Sequence, residues 1–148
     1  MSRLQLFDLG HDAVALFLQR HLIKEKKINE EIEQAHEFLK TTKYLILSFG
    51  SAWVYLLKEN GNVVSNCHKV PAKEFSRELL ELGDIESAFT KIQEKLSRLN
   101  PGIKTILTVS PVRHWKDGAH GNQLSKSILH LAVNRILSKN TEVCEYFP

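Results

Sequence analysis

Cysteine is scarce in this chain: Cys67 and Cys144 are the only two among 148 residues. The opening MSRLQLFDLGHD has no basic start followed by an apolar core and a small-residue cleavage site, so no secretory leader is read there. Both thiols are therefore expected to be reduced, in a cytoplasmic protein. Long hydrophobic runs are missing as well. The apolar stretch Ala13 to Leu18 stops at Gln19 and Arg20, far short of the ~20 residues that span a bilayer, and no membrane insertion is expected. Charge of one sign is not in marked excess either, with 20 basic against 17 acidic residues. Apart from the short cluster Lys24 to Lys27 there is no basic stripe interleaved with aromatics, which argues against a nucleic-acid partner. Internal repeats and low-complexity segments are also absent.

What is present has the balance of an ordinary globular protein, 43% hydrophobic and 25% charged, in a length that suits one domain. Tyr44 to Phe49 (YLILSF) and Lys104 to Val109 (KTILTV) have the length and apolar content of strands covered on both faces. Ile28 to Lys40 sets Ile28, Ile32, Ala35, Phe38 and Leu39 at helical spacing. Asn60-Gly61 between Val54–Leu57 and Val63–Ser65 predicts a β-hairpin excursion. Lys73 to Leu80 reads as a short helix. A longer one starts with Asp84 as N-cap and carries Ile85, Ala88, Phe89, Ile92 and Leu96. A last helix spans about Gln123 to Lys139, with Leu124, Ile128, Leu131, Ala132, Arg135 and Ile136 near its core stripe, before a third strand over Val143 to Phe147. Strands alternating with crossover helices predict an α/β fold with a mainly parallel sheet.

In such sheets ligands bind outside the carboxyl ends of the strands. The polar loop after Val109 places Ser110, Arg113, His114, Asp117, His120 and Asn122 there. Gly50, Ser51 and Trp53 follow the first strand, and Asn66 and His68 stand beside Cys67 in the excursion. His114, Asp117 and His120 have metal-ligand chemistry, but a loop more often uses such groups as hydrogen-bonding staples, and no metal or cofactor is expected. Arg113 suits either an anionic substrate group or a structural carboxylate. Cys67 and His68, as neighbours in an extended segment, point to opposite faces and cannot form a thiol–imidazole dyad. Trp53 and Trp115 stand equally for pocket walls and for packing anchors. Asn122 is read as a helix N-cap ahead of a substrate ligand. Ser51 and Ser110 lack a G-x-S-x-G elbow, so no catalytic residue is assigned.

The segments FGSAWVY (Phe49 to Tyr55), NCHKVPAKEF (Asn66 to Phe75), TVSPVRHWKDGAHGNQLSK (Thr108 to Lys126) and YFP (Tyr146 to Pro148) resemble the GSCFA domain family of bacterial proteins. The resemblance runs in order from Ile28 to Pro148, while Met1 to Lys27 resembles the family poorly. The family is regarded as related to the SGNH hydrolases, so the resemblance implies a flavodoxin-like three-layer α/β/α fold. It also implies cleavage of an ester or acylated sugar by a serine nucleophile with a late Asp-x-x-His element. Two departures stand out. The Gly-Ser-Cys-Phe-Ala motif that supplies the presumed nucleophile is nowhere in these 148 residues, and neither is the Asp…His-Pro segment that follows Tyr-Phe-Pro in the family. Ala52 and Trp53 also stand where SGNH enzymes carry an Asn-Asp pair. The expectation is one partial domain, inactive alone, with Gly50, Ser51, Trp53, Asn66, His68, Ser110, Arg113, His114 and Asn122 lining a substrate cleft. The rival is a non-catalytic module that binds carbohydrate or peptide between Trp53 and Trp115. An exposed sheet edge in such a partial domain would allow a homodimer.

Overall fold

The computed structural model describes residues 11–64 and 70–148, with side chains from residue 26 onward. It separates into two units, residues 1–41 and 42–148. The described part of the first is a single helix, α1 (His11–Thr41), longer than the Ile28 to Lys40 segment that periodicity alone picks out. Ion pairs one turn apart, Lys26–Glu30 at 3.8 Å and Lys27–Glu31 at 3.9 Å, line its polar side. Near its end Lys40 bonds Glu37 at 2.5 Å and holds that carboxyl below its ordinary range. Its apolar stripe is not core: Ile28, Ile32 and Phe38 are all more than half exposed.

The second unit is mixed α/β. Its parallel sheet has the order β1 (Tyr44–Phe49), β5 (Lys104–Val109), β6 (Cys144–Tyr146). The register pairs Leu45 with Thr105, Leu47 with Leu107 and Phe49 with Val109, and Thr105 in turn with Cys144. The first two strands match the sequence expectation residue for residue. Their burial does not. Thr105, Leu107 and Val109 are buried while Lys104, Ile106 and Thr108 are less so, the alternation of a sheet buried mainly on one face. On β1 this other face shows Tyr44 at 59% and Ile46 at 66% exposure.

Helices α2 (Leu82–Leu99) and α3 (Gly118–Lys139) cover the buried face. Ile85 and Phe89 of α2 and Leu129, Ala132, Val133 and Ile136 of α3 join Leu107, Val109 and Cys144 in one core. In α2 the buried stripe runs Ile85, Phe89, Gln93, Leu96, leaving Ile92 45% exposed in place of the expected contact. Gln93 is tolerated because its Oε1 accepts from the buried Thr105 hydroxyl at 3.5 Å. Asp84 is not the N-cap but lies three residues inside, where its Oδ2 accepts the Glu81 N–H at 2.9 Å. In α3 the stripe turns by one position, to Ser125, Leu129, Ala132, Val133 and Ile136. Leu124 and Leu131 are consequently exposed, and Arg135 leaves the core for Glu86, at 3.6 Å.

Between β1 and α2 the chain makes a separate antiparallel meander, β3 (Val63–Val64), β2 (Trp53–Leu57), β4 (Phe75–Leu79) in spatial order. The Asn60-Gly61 hairpin forms as expected, with Gly61 at φ +69°, a left-handed value that favours glycine. The helix expected over Lys73 to Leu80 is instead one 3₁₀ turn, Ala72–Glu74, followed by β4. In FSREL the residues Phe75, Arg77 and Leu79 alternate along one face, and pairing with Leu57, Tyr55 and Trp53 outweighs any helical tendency.

Candidate functional site

The loop after β5 runs from Ser110 through a 3₁₀ turn, Trp115–Asp117, into α3. Gly118, at φ +65°, makes the change of direction into the helix. Loop and first helical turns enclose a cleft of about 210 Å³ lined by Arg113, His114, Trp115, Gly118, Ala119, Asn122 and Gln123. Asn122 is not the N-cap: it lies inside α3, and its Oδ1 accepts the His114 N–H at 3.0 Å, which holds the loop against the helix. Trp115 is 75% exposed.

Asp117 faces away from this cleft's chemistry. Its carboxylate is only 1% exposed and is held by the Arg77 guanidinium. That guanidinium also lies 4.5 Å from the Trp53 ring centre and 5.8 Å from that of Tyr55. Lys116 completes the stack with a hydrogen bond to the Tyr55 hydroxyl. Trp53 therefore serves as a packing plate under Arg77, with Nε1 donating to the Gly121 carbonyl at 3.4 Å, and does not line the cleft with Trp115. Among the described residues no three His, Cys, Asp or Glu side chains gather as a metal site.

The carboxyl ends of β1 and β5 meet a second set of contacts from α3. Ser125 is buried, and its Oγ accepts the Ala52 N–H at 2.8 Å and lies 3.2 Å from Ser51 Oγ. Ser51 Oγ also accepts the Trp53 N–H at 3.1 Å. Ser110 Oγ accepts the Val112 N–H at 3.3 Å. Lys126 spans both strand ends, donating to the carbonyl oxygens of Gly50 at 2.7 Å and Ser110 at 2.5 Å. Burial lowers its pKa below the ordinary 10.5. Residue type gave no signal for this lysine, because its two acceptors lie 76 and 16 residues away in sequence.

Arg113, His114 and Asn122 are thus brought to one cleft, and Gly50, Ser51 and Ser110 to the strand ends linked by Ser125 and Lys126. Asn66 and His68, with Cys67, lie outside the described residues. The family model described as GSCFA matches residues 13–148. The chain belongs to the GSCFA family. Comparison of this GSCFA chain with curated proteins and with solved structures finds no match. The family match spans both sets of contacts around α3, and no described helix is long and apolar enough to cross a membrane.

Proposed function

We propose that this GSCFA chain forms the substrate-holding part of an SGNH-like hydrolase acting on an ester or acylated carbohydrate, within a flavodoxin-like three-layer α/β/α domain. The observation that carries the reading is the cleft in the loop that follows β5, lined together by Arg113, His114 and Asn122. This is where open α/β sheets hold ligands. Gly50, Ser51 and Ser110 extend the site along the strand ends, and Asn66 and His68 are further substrate contacts in this reading. Without the family's Gly-Ser-Cys-Phe-Ala serine or its Asp…His-Pro segment in these residues, the chain binds and does not turn over, since nucleophile and base act as a unit. The working compartment is the cytoplasm, with neither nucleic acid nor membrane as partner. A second copy pairing along β1 is the one protein partner in this reading.

One observation favours a purely binding role. Among the described residues, Ser51, Ser110 and Ser125 engage main-chain N–H groups or one another rather than a histidine. Hydrolysis of an aryl acetate decides between the two readings. It is measured for this chain and for a chimaera that adds the Gly-Ser-Cys-Phe-Ala and His-Pro segments of another family member, both checked for folding by circular dichroism. Turnover by the chimaera alone is expected. A folded but silent chimaera favours the binding role, and turnover by the unextended chain moves the nucleophile to one of its own serines.

A further inference from the structure

The cleft carries an unbalanced charge. Of its seven lining residues, Arg113 and His114 are basic or titratable, Asn122 and Gln123 are neutral amides, and none is acidic. The carboxylate nearest in the loop, Asp117, is buried and already neutralised by Arg77. Arg113 itself has no ion-pair partner among the described residues, so of its two readings from sequence the structural carboxylate is not there. A guanidinium offers a rigid planar fork that suits one carboxylate held by two parallel bonds. A phosphate dianion would call for more positive charge than one fixed cation provides.

The remaining walls suit a sugar ring. Trp115 presents an open aromatic face, and Asn122 and Gln123 supply amide groups for hydroxyls, the Asn122 nitrogen being uncommitted because only its oxygen is used by His114. At about 210 Å³ the cleft falls below the ~300–1,000 Å³ of sites for drug-sized ligands, which matches a single ring. Resting on the proposed carbohydrate reading of this cleft, we infer that it selects a carboxylate-bearing sugar of the uronate type, with Arg113 on the carboxylate and Trp115 under the ring.

The test is a titration of the 148-residue chain with sodium D-glucuronate and, separately, with D-glucose. Binding is followed by the nuclear magnetic resonance shift of the Trp115 indole N–H in wild type, Arg113→Gln and Arg113→Lys. Glucuronate is expected to bind at least tenfold more tightly than glucose. Arg113→Gln should bring the two within about twofold, and Arg113→Lys should lose most of the preference because it keeps the charge without the fork. Because Arg113 is exposed and unpaired, each variant's unshifted spectrum reports directly that it remains folded. Equal binding of the two sugars, no shift with either, or a preference that survives Arg113→Gln overturns the inference. The readout is independent of ester cleavage. Selective binding with a silent chimaera removes the hydrolase reading alone, and turnover without charge selectivity removes this inference alone.

Discussion

Lys126 donates to the carbonyl oxygen of Gly50 across 2.7 Å, tying the first turns of α3 to the end of β1. The same ammonium reaches Ser110 at the end of β5, so one side chain sets the distance between the two loops that leave the parallel sheet. Lys126→Met leaves both carbonyls without this donor. A loss of about 1–2 kcal/mol is expected, the lower part of the range for bonds to charged groups because the site is only half-buried, and urea denaturation measures it.

A pH dependence follows from the lowered pKa of Lys126. Between the folded value and the ordinary 10.5, the unfolded chain holds more protons than the folded one, so stability rises with pH across that window. Wild type should gain on Lys126→Met in urea midpoint as pH is raised toward 10.5. A difference that shrinks over that range would contradict the desolvation cause.

Breaking the Arg77–Asp117 pair isolates a buried charge. With Asp117 1% and Arg77 28% exposed, Asp117→Asn should cost about 2–3 kcal/mol, somewhat less than for a fully buried pair. A double-mutant cycle with Arg77→Met should give a coupling above about 1 kcal/mol. Additive effects would mean that the aromatic rings, not the carboxylate, hold Arg77.

Ser125→Ala removes the acceptor of the Ala52 N–H from a residue 2% exposed. An unsatisfied buried donor costs about 1–3 kcal/mol. Ser51→Ala should cost less, since its oxygen is half-buried and accepts from a half-buried N–H. Thermal unfolding of the two variants ranks them, and the reverse order would place the critical hydroxyl on Ser51.

Cys144 is 4% exposed, and burial raises its pKa above the ordinary 9.0. A raised thiol pKa contributes stability in full below about 9.0, lost as pH climbs through the higher folded value. Native iodoacetamide labelling with peptide mapping should leave Cys144 unmodified until urea unfolds the chain. Rapid labelling of the native protein would show that the β6 end of the core opens.

The parallel strands were legible because YLILSF and KTILTV are short runs rich in apolar and β-branched residues, and the hairpin because Asn-Gly needs no tertiary help. β4 was hidden: its alternation lies in five residues with three polar ones, and only the β2 partner makes it a strand. The α3 stripe was misplaced because its first buried residue is a serine, whose partner, Ala52, comes from a distant segment. The cleft loop declared itself by residue type. The Arg77 stack and the Lys126 bridge did not, since each depends on chain segments that meet only after folding.

The meander leaves the parallel sheet at Ala52 and returns at Leu80, and the Leu80 N–H donates to the Ala52 carbonyl at 2.9 Å. Departure and return therefore share one doorway. That contact and the Trp53–Leu79 pair beside it fix where the chain leaves β1 and where it enters α2. The far turn at Lys58 to Gly61 can be lengthened, trimmed or given a tag without lengthening the path through the core, because closing a longer surface loop costs little. The fold thus contains a natural splice point, where an appendage can evolve or be engineered while the sheet that carries the cleft keeps its spacing.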